Sequence, residues 1–407
     1  MTDAGGLEGS EIDLDVLRIA HGGVSVAEHE GRVVFVTDTL PGERVRAVVT
    51  EDRHERWLRA ETVAVLEASP DRRPHIWPAA SVDREPAQRA GGAEFGHIAP
   101  DRQRALKTEV LRDALARTGR MPQARIDALD PVVRAVPGPD DGTRSRTRIR
   151  LHVDPGGALG PYAARTRQVV PVDDLPLGVP ALEALLPGAP RDRDAVDLIA
   201  PSAGEPFALA ARTAHPPIAE RVGERTFSLE ATGFWQVHPS APDVLTAAVR
   251  AALDPVRFDP RAGNLDLYGG VGLLAAALGD AGGPGTRVTT VEADRAASRH
   301  AGSNLASWRG ATAVSARVDA FLAREREQRP GATVVLDPPR SGAGRAVVEA
   351  VAALGPARVV YVACDPVALA RDLATFAEHG WSPVRFEALD LFPNTHHLEA
   401  VVALDRG

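Results

Sequence analysis

Thiols are almost absent from this chain: Cys364 is the single cysteine in 407 residues. One cysteine excludes an internal disulfide and a multi-thiolate metal site, and it leaves two roles, a small buried hydrophobe or a nucleophile. Lysine is equally scarce, with Lys107 alone among the 47 lysine and arginine residues, so any phosphate or base contact must come mostly from arginine. No stretch approaches the roughly 18 apolar residues of a membrane span. Met1 to Ser10 is small and acidic, without the basic start and apolar block of a secretory leader. A cytoplasmic protein with no membrane partner is expected. The formal net charge of −8 argues against a uniformly basic surface, although a basic face can sit on one domain of an acidic protein.

The length is enough for two or three domains. Residues 11–66 read as short strands broken at Gly22-Gly23, Glu30-Gly31 and Pro41-Gly42, which predicts a small β-barrel. The stretch 100–119 predicts a helix with Ala105, Val110, Leu111, Ala114 and Leu115 on one face. Residues 143–215 return to β character. There Arg144, Arg146, Arg148 and Arg150 stand at period two, so one strand would place all four on one face. Such a row is either a solvated edge or a set of guanidiniums for an RNA backbone. From about residue 234 apolar strand runs alternate with helices, which implies a mostly parallel sheet covered on both faces.

Four stretches carry chemistry. In "LDLYGGVGLL" the residues Asp266 to Gly272 join a strand to a helix, and Glu292 stands at the end of the next strand. Glycines there admit a close ligand, and an acid at that distance accepts both ribose hydroxyls of a nucleotide-type cofactor. In "VVLDPPRSG" Asp337 follows a buried strand at the carboxyl edge of the sheet, and two prolines stiffen the loop beyond it. Arg340 stands where amine-directed methyltransferases usually have a stacking aromatic. In "RVVYVACDP" Cys364 follows a strand and precedes a helix, whose dipole favours a thiolate. In "NTHHLEAVVAL" Glu399 opens the final strand and is a candidate general base. His396 and His397 lack any further Cys or His motif, so they are expected to orient loops or contact RNA, and no metal is expected.

"DPPRSG", "ACDP" and "THHLE" in this order resemble the class I S-adenosylmethionine-dependent RNA 5-methyluridine methyltransferase family, and the likeness spans almost the whole chain. The resemblance implies an α/β fold with three parts. These are an N-terminal TRAM barrel, OB-like, over 8–66, a central β-rich RNA-facing domain over 67–233, whose helix 100–119 is expected to pack on the catalytic domain, and a Rossmann-like methyltransferase domain over 234–407. It implies Cys364 as nucleophile and Glu399 as proton acceptor, with Gln236, Tyr268, Glu292 and Asp337 holding S-adenosyl-L-methionine. The expected product is a 5-methyluridine in tRNA or rRNA, made by a monomer. Many members carry four cysteines that bind an iron–sulfur cluster. Here Ala90, Ala93 and Leu175 stand in that pattern, so no cluster is expected. Two other readings stay open: an RNA cytosine-5 methyltransferase, whose RNA family uses two cysteines, and a non-catalytic RNA-binding or chaperone protein.

Overall fold

The computed structural model describes residues 6–164, 166–325 and 327–407. At the N-terminus six strands form one curled sheet, in spatial order Glu11–Asp15, Arg44–Glu51, Trp57–Glu67, Arg32–Thr37, Ser25–His29 and Arg18–Ile19. Alternate residues point inward, so Leu14, Val34, Val36, Val45, Ala47, Leu58 and Ala60 fill its core. Glu30 and Gly31 both adopt positive φ between two strands, as a two-residue hairpin requires.

The second body is an antiparallel sheet of Phe207–Ala210, Ala195–Ile199, Arg148–Val153 and Leu159–Gly160. It departs from the expected arginine row. The strand begins only at Arg148, and Arg144 lies before it with φ of +55°. Three of the four arginines are held by carboxylates: Arg144 by Glu183 at 2.8 Å, Arg148 by Glu220 at 3.4 Å and Arg150 by Asp197 at 2.7 Å. The row is therefore neither a single face nor a bank of free guanidiniums.

The third body is an eight-stranded sheet in the order Gly310–Ser315, Arg287–Glu292, Asn264–Leu267, Thr333–Leu336, Arg358–Ala363, Glu399–Arg406, Trp381–Asp390 and Val133–Ala135. The first five strands are parallel; Glu399–Arg406 runs antiparallel to both its neighbours. The chain steps outward from Asn264–Leu267, then returns to its other side at Thr333–Leu336. This reversal leaves a crevice at the carboxyl ends of those two strands, where ligands bind in open α/β sheets. Both strands are wholly buried between two apolar clusters, which accounts for their unbroken apolar runs.

The expected central segment, 67–233, contributes to two bodies. Its helix Pro100–Arg117 shares a core with the catalytic sheet through Leu111, Ala114 and Leu115, and its strand Val133–Ala135 extends that sheet. The buried face of the helix also differs from expectation. Gln103 and Lys107 are buried on it, whereas Ala105 and Val110 are only partly covered.

Candidate active site

The turn after Asn264–Leu267 is shaped by its residues. Tyr268, Gly270 and Gly272 adopt positive φ, and a Cβ at Gly269 would lie 1.9 Å from Thr290 Oγ1, so only glycine fits there. The buried Asp266 ties the turn together: its Oδ2 accepts from Thr290 Oγ1 at 3.0 Å and from Ala275 N at 3.2 Å. Its Oδ1 is buried without a hydrogen-bond partner among the described residues. Burial, with Glu292 nearby, pushes the Asp266 carboxyl up to about 6. Glu292 ends its strand with Oε2 accepting from Gly270 N at 3.0 Å and Oε1 from Asp294 N at 2.7 Å. Tyr268 is half-buried, and burial with Asp319 beside it pushes its phenol up to about 12. Gln236 makes no hydrogen bond among the described residues. Its neighbour Trp235 packs in the cluster that contains Val271 and Leu273 of the glycine turn.

Cys364 and Glu399 are brought together by strand register. The antiparallel ladder ends at Ala363 and Ala400, so Cys364, just past the one strand, and Glu399, at the start of the other, lie side by side at its end. Burial first, then the Glu399 and Asp337 carboxylates, push the thiol up to about 12, with Arg340 acting in the other direction. Glu399 is buried, and burial together with Asp337 raises its carboxyl well above the ordinary value. Asp337 is likewise raised to about 7 by burial and Asp266. The helix Pro366–Glu378 begins just after the thiol, while desolvation and the neighbouring carboxylates act against ionisation there.

Several residues around the thiol carry no motif. Loop 20–23 of the N-terminal sheet closes over it, leaving a cavity of about 10 Å³ lined by His21, Gly23, Lys107, Cys364 and His396. His21 Nε2 lies 2.8 Å from Asp365 Oδ2, while Asp365 Oδ1 accepts Val367 N and Ala368 N and so caps the following helix. Glu94 binds the ring of His396 and accepts its backbone N–H at 3.2 Å. His397 Nε2 lies 3.2 Å from the Arg340 guanidinium. Ligand atoms of Glu94, His396 and His397 fall within 4.8 Å of one another. The His396–Glu94 bond occupies two of the three groups, and the Arg340 charge opposes a cation at the third. Sequence reasoning missed His21, Glu94 and Asp266. His21 stands beside the Gly22-Gly23 turn and carries no motif, and neither does Glu94. Asp266 alone gave a signal, as an acid inside the apolar run "NLDL".

Ala90 and Ala93 are buried among Trp77, Ala163, Val170 and Leu177, and Leu175 packs in an adjoining apolar cluster. These side chains offer no thiolate, so an iron–sulfur cluster does not fit them.

The family model for tRNA (uracil-5-)-methyltransferase matches residues 327–407. An RNA methyltransferase of Streptomyces coelicolor is 36% identical, over 98% of this chain and 93% of its own length. One of Corynebacterium glutamicum is 32% identical over 98% of both chains. Among solved structures, the Pyrococcus abyssi tRNA (uracil-54, C5)-methyltransferase, determined with S-adenosyl-L-homocysteine, matches at a TM-score of 0.69 and 19% identity. That match covers 96% of this chain and 99% of that one, and it shows a shared fold.

Proposed function

The chain belongs to the RNA methyltransferase family, with the tRNA (uracil-5-)-methyltransferase signature in its last residues, and from that premise we propose that it methylates carbon 5 of a uridine in tRNA or rRNA through a covalent cysteine adduct. The observation that carries the reading is the register that sets Cys364 beside Glu399 at the same sheet edge as Asp337 and the glycine turn.

The crevice fits S-adenosyl-L-methionine. Glu292 and Asp337 present carboxylates there, the glycine turn leaves open space at Gly270, and Gln236 has an uncommitted amide. When bound, the cofactor supplies an electrophilic methyl group. Uracil carbon 5 is too weak a nucleophile to take it unaided. The Cys364 thiol loses its proton to water, and the thiolate adds to carbon 6, forming a carbon–sulfur bond and moving the ring electrons toward carbon 5 and the carbonyl oxygen. After methylation Glu399 takes the proton from carbon 5 as a carboxylate, and the burial and Asp337 that raise its affinity for a proton make it the stronger base for that step. The electron pair released expels the thiolate and restores the ring double bond. Arg340 favours the thiolate. A stacked base cannot reach this thiol, so the uridine must be extruded first.

The test uses RNA from cells lacking this protein and labelled cofactor. Cys364→Ala should lose both methylation and covalent capture. Glu399→Gln should accumulate a denaturation-resistant, methyl-labelled protein–RNA adduct, because neither proton loss nor elimination can follow. Glu399→Gln turning over at the wild-type rate would remove Glu399 from the mechanism.

A further inference from the structure

A cavity of about 400 Å³ opens in the second body, outside the site described above. Gly91 and Gly92 line it, while Phe95, a little further along the same segment, lines the thiol cavity. Its volume is in the range that holds a small organic ligand. Its wall carries a ready stacking platform: the rings of His152 and Tyr162 lie parallel, with centroids 3.6 Å apart and planes 11° apart. Trp77, Ile149, Leu151 and Leu177 supply apolar lining.

Arg146 also lines this cavity, and it differs from Arg144, Arg148 and Arg150 in having no carboxylate partner among the described residues. Its Nη2 donates only to Gly92 O, at 2.9 Å. A guanidinium with no direct ion pair, acted on by the Glu94 carboxylate only from further away, suits an anion attached to a flat ring beside an aromatic platform. We propose that this cavity is a second nucleotide pocket, which takes an unpaired RNA nucleotide flanking the target uridine, its base on the Tyr162–His152 platform and its phosphate on Arg146. The proposal rests on the RNA reading above and adds to it a recognition site outside the chemistry.

The full chain is assayed on RNA from cells lacking it, with labelled cofactor. Tyr162→Leu should raise the KM for RNA by about 5- to 100-fold, the loss of one base–aromatic stack, with the KM for cofactor unchanged. Tyr162→Phe should restore the wild-type value. Arg146→Gln should reduce the salt slope of RNA binding by about 0.7–0.9, one phosphate contact. A folded Tyr162→Leu variant with the wild-type RNA KM would overturn the pocket, as would an unchanged slope in Arg146→Gln. If Tyr162→Leu does not fold, His152→Leu removes the other ring and is read in the same way. If the wild-type chain methylates no RNA, the functional reading fails separately. The pocket is then judged by the anisotropy of a labelled single-stranded oligonucleotide, which should bind wild type more tightly than Tyr162→Leu; equal binding would overturn it.

Discussion

Desolvation, Glu399, Asp337 and Asp365 disfavour a thiolate at Cys364, and Arg340 assists it. At neutral pH the resting site therefore stores a thiol beside carboxyl groups that are themselves raised by burial. Because Cys364 is the only cysteine, its alkylation by iodoacetamide reads this site alone. The rate should still be rising above pH 10, since the thiol is held up at about 12. Glu399→Gln removes the repulsion between two anions and should shift the alkylation profile to lower pH. Arg340→Ala removes the assisting cation and should shift it higher. Equal profiles in all three proteins would mean that burial alone sets the thiol. Glu292→Ala should weaken cofactor binding by about 2 kcal/mol, the scale of hydrogen bonds to a charged acceptor, as read by calorimetry. RNA affinity should be unaffected, because the Glu292 carboxylate bonds only to the Gly270 and Asp294 backbone N–H groups.

The helix Pro100–Arg117 is pinned to the catalytic sheet through a buried charge. Lys107 Nζ donates to Asp390 Oδ1 at 2.6 Å and to Phe392 O at 3.0 Å, with Lys107 and Asp390 both buried. Gln103, one turn earlier, donates to Asn394 Oδ1 at 2.9 Å and accepts Asn394 N at 2.8 Å. These bonds fix the loop that leads from Asp390 to Glu399, so the helix positions Glu399 without touching it. Lys107→Met leaves Asp390 charged and unpaired, which should cost about 3–5 kcal/mol in urea unfolding. Adding Asp390→Leu to the same chain should recover most of that loss, and failure to recover would indicate that packing, not charge, holds the helix.

Across the whole molecule the N-terminal sheet meets the catalytic body at His21 and Asp365. The hydrogen bond to Asp365 raises His21, against burial, and the same bond lowers Asp365, again against burial. For His21 the folded value lies above its ordinary 6.5, so its contribution is full below that pH and is lost as pH rises through the raised value. For Asp365 the folded value lies below its ordinary 3.8, so its contribution is present above that and is lost as pH falls through the lowered value. Lys107, His396 and His397 line the same cavity, so His21→Asn is the necessary control. Wild type should lose stability relative to His21→Asn as pH rises above 6.5, in parallel thermal melts; a constant difference would remove the ion pair as its cause. Iron gives a second measurement at this scale. Chain purified without oxygen should be colourless and hold no stoichiometric iron, because Ala90, Ala93 and Leu175 cannot ligate it.

The sequence by itself determined the parallel sheet, the glycine turn, and Cys364, Asp337 and Glu399 at strand ends. Each of these is written in a short window, as an apolar run, a glycine spacing or a strand-to-loop junction. It could not determine what burial does to those groups. The dipole argument at Cys364 used only the next dozen residues, whereas the opposing carboxylates come from strands distant in sequence. The arginine row failed for a similar reason: Glu183, Glu220 and Asp197, which hold three of its members, are 39, 72 and 47 residues away. His21 and Glu94 reach the site from segments more than 300 residues from their partners, Asp365 and His396. Local periodicity fixes which face a residue takes, but charge and desolvation act through space, so only the tertiary structure decided which ionisable groups share a site and in what state they are held.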